Sequence, residues 1–357
     1  MRFRENAPCV RYDRIGYFIS TGPIEQTRMG ESMAKYYIGI DGGGTKTKVL
    51  CLNRDGDVCG EALLLGSYCA QDGVDVVTGR LRDGIRQCLP KGETDALIGF
   101  GMPAFGEQKD LDEIAVREIQ NALAPMKVYF NNDSVTGWAG ALAMEPGISI
   151  VGGTGSIGYG RDRFGNAARC GGWHEFFSDE GSGYWLGKRL LQLFSQQSDG
   201  RLPRTSLYDL VRERLALEDD FEITELVQKQ YASSRMHTAK LQTILLDAAR
   251  MGDPYAAESY DQASDELCRI ILTLLQKLTF PADEPVPVSF QGGLFSIVDF
   301  IRQPVERKLR AATWSGNLLF FEPKMDPCRG AALLAIEAFE PEKLEVMKEK
   351  FSRSCLL

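Results

Sequence analysis

Apolar residues in this chain fall into short runs separated by stretches of helical period. Tyr36 to Ile40 and Lys48 to Leu52 read as strands, and the Asp55-Gly56 turn signal then reverses the chain again. Val74 to Leu89 has helical spacing, Ala96 to Phe100 is a short strand, Leu111 to Leu123 is helical, and Val128 to Phe130 is a strand ending at Asn131-Asn132-Asp133. A helix from Ser134 to Met144 follows. The same order then restarts with strands at Gly147 to Val151 and Ser156 to Gly160 and a turn at Asp162 to Asn166. A largely helical insert from Glu180 to Leu278 interrupts it. Strand Val286 to Phe290, helix Phe300 to Ala312, strand Leu318 to Phe321 and helix Cys328 to Ala338 close the chain.

Helices between strands predict an α/β protein with a mostly parallel sheet in each half and a ligand cleft between the halves. The expected division is a domain over 33–145, a second over 146–339 that carries the insert, and a helix in 340–357 packing back on the first domain. Residues 1–32 lack a periodic pattern, and their one apolar patch, Ile15 to Ile19, is too brief for a secretory core. They read as an extension or tail before Met33, with a docked arm as the competing view.

Two glycine-rich turns carry the candidate chemistry. Asp41-Gly42-Gly43-Gly44-Thr45-Lys46-Thr47 and Gly152-Gly153-Thr154-Gly155-Ser156 each follow a strand and each lead into another strand. Glycine lets backbone approach an anion closely, while hydroxyls and exposed N–H groups donate to phosphate oxygens. Either turn alone is equally well a tight hairpin; the repetition in matching contexts favours a pair of phosphate grips for one triphosphate. Gly153 to Gly158 also satisfies the dinucleotide pattern GxGxxG, but no helical period follows it, so that reading is rejected. Neither Lys46 nor Lys188 has the spacing of a P-loop.

Composition narrows the classes further. At 357 residues, with 44% hydrophobic and 25% charged positions, the chain is ordinary globular protein of about two domains. A net charge of -8 argues against nucleic acid or an anionic membrane as partner. Nine cysteines without a CxxC pair fit reduced thiols and a cytoplasmic setting, and two histidines leave little room for His-based triads or zinc sites. No apolar run has the length of a membrane span. The stripe Leu267 to Leu278 reads as buried core before it reads as a homodimer face.

Seven strings in order, DGGGTKT from Asp41, NDS from Asn132, GGTGS from Gly152, GGW from Gly171, DEGSGYW from Asp179, QGGLF from Gln291 and GAALLA from Gly330, resemble the N-acetylglucosamine kinase and BadF/BadG/BcrA/BcrD ATPase group. That group lies within the actin, hexokinase and heat-shock chaperone superfamily, and the resemblance spans about Tyr36 to Phe339. It implies two ribonuclease-H-like domains with an interdomain cleft for ATP and substrate. It also implies phosphate contacts at Gly43, Gly44, Thr45, Lys46 and Thr47, magnesium oriented by Asp41, inner-phosphate contacts at Gly153, Thr154, Gly155 and Ser156, and adenosine against Gly292 and Gly293. Asp133 becomes the general base toward a sugar hydroxyl, with a helix N-cap as its plainer role. Gly172, Trp173 and Asp179 become sugar contacts, against readings in which Asp179 caps a helix and Trp173 sits in core, with Glu180 the better candidate for the cap. Ser67, a further candidate substrate contact, falls in the loop Gly66 to Gln71, which lacks the group's hydroxyl-binding asparagine, and this predicts a shifted sugar preference.

The resemblance thus implies a kinase for an amino sugar. Relatives that activate 2-hydroxyacyl-CoA dehydratases or benzoyl-CoA reductases through an iron–sulfur cluster supply the alternative, although Cys170 has no local partner cysteine. A nucleotide-binding regulator without turnover is disfavoured by the retained Asp133 and the missing N-terminal helix-turn-helix.

Overall fold

The computed structural model describes residues 9–12, 17–20, 33–281, 283–312 and 317–353. Two compact units emerge, one of Met1–Glu145 with Pro323–Leu357 and one of Pro146–Glu322.

The first unit contains strands β1 (Cys9–Tyr12), β2 (Tyr17–Ser20), β3 (Tyr36–Asp41), β4 (Lys46–Asn53), β5 (Val58–Leu65), β6 (Ala96–Met102) and β7 (Lys127–Asn132). Its early helices are α1 (Cys69–Asp72), α2 (Val74–Cys88), α3 (Lys109–Leu123) and α4 (Asp133–Leu142). The sheet order is β1-β2-β7-β6-β3-β4-β5. β3, β4 and β5 form an antiparallel meander, while β6 runs parallel to both β3 and β7. All seven residues of β6 are buried, as a central parallel strand requires. Ile38, Ile40, Ile98 and Phe100 meet Val77, Leu81, Val116 and Ile119 of the covering helices in one core.

Helices α5 (Gly183–Ser198), α6 (Ser206–Leu215), α7 (Glu222–Leu226), α8 (Arg235–Lys240), α9 (Gln242–Arg250) and α10 (Pro254–Lys277) make the insert of the second unit. Its strands are β8 (Gly147–Gly152), β9 (Ser156–Arg161), β10 (Ala167–Gly171), β11 (Val286–Gln291) and β12 (Leu318–Phe321), with α11 (Gln303–Ala311) before the last. The order β10-β9-β8-β11-β12 repeats the plan of the first sheet without its β1–β2 hairpin. Leu267, Ile271, Leu274 and Leu275 of α10 are buried with Ile148, Ile150 and Val288, so the stripe read from the sequence is core.

Three sequence expectations change. Each sheet is mixed, not mostly parallel, because links as short as those between β3 and β4 or β8 and β9 permit only antiparallel neighbours. Within residues 1–32, β1 pairs with β2 and Tyr17 pairs with Phe130 of β7. Strands of four residues are too short to print a period. The largest change is at the other end, where the second unit closes at Glu322 and not at residue 339.

Helices α12 (Pro327–Phe339) and α13 (Leu344–Arg353) belong to the first unit. α12 is apolar nearly all round, so it must be covered on every side. It lies directly on the sheet: a Cβ at Gly39 of β3 would strike the Cys328 carbonyl, and one at Gly99 of β6 would strike that of Ala331. α13 follows with Phe351 edge-on to Tyr37 at 6.1 Å.

Candidate functional site

In the first unit the candidate residues gather at the carboxyl ends of β3, β6 and β7. The register aligns Asp41 with Gly101 and Gly101 with Asn131, so Asp41 and the start of α4 are separated by one strand, roughly 10 Å. Burial, and then the neighbouring Asp326 carboxylate, push the Asp41 carboxyl up to about 6 against the pull of Lys46 and Lys48. Gly44, Thr45 and Lys46 form the exposed tip of the turn. Thr47 points inward, fully buried, and its hydroxyl donates to Ser67 Oγ at 2.9 Å. Ser67 is itself buried and donates its N–H to the Gly43 carbonyl at 3.0 Å. The turn is therefore braced from beneath by Thr47 and Ser67 and open above.

α4 begins with a cap, but the cap is Asn132. Its Oδ1 accepts from the Ser134 N–H at 3.1 Å and the Ser134 hydroxyl at 2.6 Å, and its Nδ2 donates to the Phe105 carbonyl at 2.9 Å. Asp133 is the first helical residue, half-buried, at the mouth of the helix. The capping role considered for it is filled by its neighbour.

In the second unit the turn Gly153 to Ser156 sits on the amino end of α5. The N–H groups of Gly183 and Tyr184 donate to the carbonyls of Gly153 and Thr154 at 2.9 and 3.1 Å. Ser182, and neither Asp179 nor Glu180, caps α5, accepting from the Trp185 N–H at 3.2 Å. Ser156 is spent within the fold: its N–H donates to Asp179 Oδ1 at 3.2 Å and its hydroxyl to the Glu180 carbonyl at 2.7 Å. Gly292, in the left-handed region at φ 90°, packs against the backbone of Gly152, which brings Gly292 and Gly293 beside the turn.

Asp179 is 2% exposed and has φ 63°, a left-handed conformation that aspartate adopts more readily than most residues other than glycine. Its Oδ2 accepts from Arg235 at the start of α8. Burial pushes its carboxyl above the ordinary range, opposed by Arg235 and the Ser156 N–H and helped by Glu175. Gly172 has φ 66° and lies against Ile157. Trp173 is 73% exposed, so it is not core. It stands at the rim of a cavity of about 420 Å³ that Phe177, Ser178, Glu180, Glu266 and Arg269 also line.

With two sheets of one plan, each ending in a glycine turn, the comparison with known proteins is decisive. The model of the BadF/BadG/BcrA/BcrD ATPase family matches residues 38–335. The chain belongs to this family. Among curated relatives, the N-acetyl-D-glucosamine kinase of Dictyostelium discoideum is 26% identical over 316 residues, covering 85% of this chain and 98% of its own. The N-acetylmuramic acid/N-acetylglucosamine kinase of Clostridium acetobutylicum is 26% identical over 272 residues, 75% of this chain and 88% of that one. A Chromobacterium violaceum protein solved as a candidate N-acetylglucosamine kinase superposes with a TM-score of 0.68 at 27% identity, over 85% of this chain and 99% of its own.

Two residues, one beside each turn, escaped the sequence reading. Asp326 precedes Pro327, a helix-start signal, and its side chain accepts from the Arg329 N–H at 3.0 Å. Its proximity to Asp41 crosses most of the chain and leaves no local mark. Arg235 likewise carries no signal in the sequence around it. Among the described residues no helix is long and apolar enough to cross a membrane.

Proposed function

We propose that the protein transfers the terminal phosphate of ATP to a hydroxyl of an amino sugar. The observation that carries this is the match to an N-acetyl-D-glucosamine kinase across 98% of that enzyme's length. In this reading Gly43, Gly44, Thr45 and Lys46 grip the terminal phosphates from the open side of the first turn, while Thr47 and Ser67 hold that turn in shape. Gly153, Thr154 and Gly155 grip the inner phosphates, with Ser156 fixing the turn to Asp179 and Glu180. Gly292 and Gly293 offer a flat backbone to adenosine. Asp133 accepts the proton of the attacking hydroxyl, and Asp179, Gly172 and Trp173 face the sugar.

Magnesium fits the donor set at the first turn. Asp41 supplies hard carboxylate oxygen in a negative field to which Asp326 adds. Asp41 would hold the ion, which when bound offsets charge on the phosphoryl group. The activator alternative lacks comparable support, since the curated relatives named above are both sugar kinases.

Because the loop around Ser67 has no asparagine, the sugar preference is expected to differ from N-acetylglucosamine. A coupled ADP-release screen over N-acetylglucosamine, glucosamine, N-acetylmannosamine and N-acetylmuramic acid tests the assignment. Release of ADP that depends on one of these sugars and on magnesium is the expected result. ATP turnover indifferent to every sugar would remove it.

A further inference from the structure

Asp179 presents an electrostatic problem for any phosphate on the second turn. A Cβ built on Gly155 would lie 3.0 and 3.1 Å from its two carboxylate oxygens, so the carboxylate stands against the turn itself. A polyphosphate resting there would meet a like charge in a buried setting, where repulsion is poorly screened. The same virtual Cβ would strike the guanidinium of Arg235. That guanidinium donates to Asp179 Oδ2, lies 3.9 Å from Glu175, and keeps 41% of its side chain exposed. It comes from the helical insert, 56 residues along the chain from Asp179.

Resting on the reading that the Gly153 to Ser156 turn holds the nucleotide, we infer that Arg235 is the positioning residue that lets this turn take a polyphosphate beside Asp179. A guanidinium carries five N–H donors in a planar fork, enough to serve a carboxylate and a phosphate together. One edge neutralises Asp179 and the other meets phosphate oxygen. A side chain at position 155 would push the guanidinium from this seat. A purely structural ion pair would also hold Asp179, but it would leave nucleotide binding untouched.

Titrations of purified protein with adenosine, ADP and Mg-ATP separate these cases. Arg235→Gln should weaken ADP and ATP by about tenfold to a hundredfold, the range for a lost charge-assisted bond, while adenosine changes little. Arg235→Lys should recover part of the loss. The double variant Arg235→Gln with Asp179→Asn should bind ADP more tightly than Arg235→Gln alone, because the unshielded carboxylate has gone. Equal ADP affinity in wild type and Arg235→Gln overturns the inference, as does a loss shared equally by adenosine. A melting curve identifies a variant that fails to fold, and Arg235→Lys then carries the comparison. Wild-type protein that binds no nucleotide would overturn the kinase reading as well; ADP binding without any sugar-dependent turnover would overturn the kinase reading alone.

Discussion

The helix cap weighed as the plainer role of Asp133 falls to Asn132. Asn132 satisfies the first turn of α4, which leaves the carboxylate of Asp133 out of the cap. On the kinase reading, Asp133→Asn should keep its ATP affinity but lose about two to four orders of magnitude in turnover, the worth of a positioned base. Asn132→Ala should instead lose stability, by about 1 kcal/mol for the cap, and show it in urea unfolding. Normal turnover in Asp133→Asn would send the search for the base elsewhere. The motif strings named candidate residues, but not which of their donors are already committed. Thr47, Ser67 and Ser156 each look like phosphate or substrate contacts in sequence, yet each is committed to a partner 20 to 24 residues away. Such pairings depend on how strands are laid side by side.

Most elements were legible because their periods are long enough to register, and the differences lie where punctuation is fine. The helix expected over Phe300 to Ala312 starts in earnest only at Gln303–Pro304, after a wider turn over Val298–Arg302, as proline at the first helical turn favours. The turn between β9 and β10 gives a sharper case. Burial pushes the Asp162 carboxyl up, but the Asn166 side chain and the N–H groups of Thr279, Asn166 and Phe164 more than offset this and hold it below the ordinary carboxylate range. The bond from Thr279, at 3.2 Å, ties that turn to the end of α10. A depressed native value means that the unfolded chain binds the proton more readily, so this contribution is present above the ordinary carboxylate range and lost as pH falls through it. Urea midpoints should decline between about pH 6 and pH 3, and Asp162→Asn should begin lower at neutral pH and decline less steeply. Parallel declines would show that the carboxylate is not a source of acid sensitivity.

At the scale of the molecule, the repeated order of strands and helices announced two α/β units of one plan, and the two sheets have it. The boundary was misread because α12 shows only that it is buried, and nothing in Cys328 to Ala338 says against which sheet. The answer is written in Gly39 and Gly99, too far away to be connected by pattern. Gly99→Ala should destabilise by about 1–3 kcal/mol or more, since the added methyl meets backbone of Ala331 that cannot swing aside. Urea unfolding measures it, and an unchanged midpoint would mean that α12 is not seated on β6. The return of residues 323–357 to the first unit also sets a calendar for biosynthesis. Domains commonly fold in the order in which the ribosome releases them, amino end first. Here a nascent chain halted at Glu322 would hold every residue of the second unit but lack the helix that covers β3 and β6. The unit begun first is finished last, so its bare sheet must be sheltered, by a chaperone or by speed, until translation is nearly over.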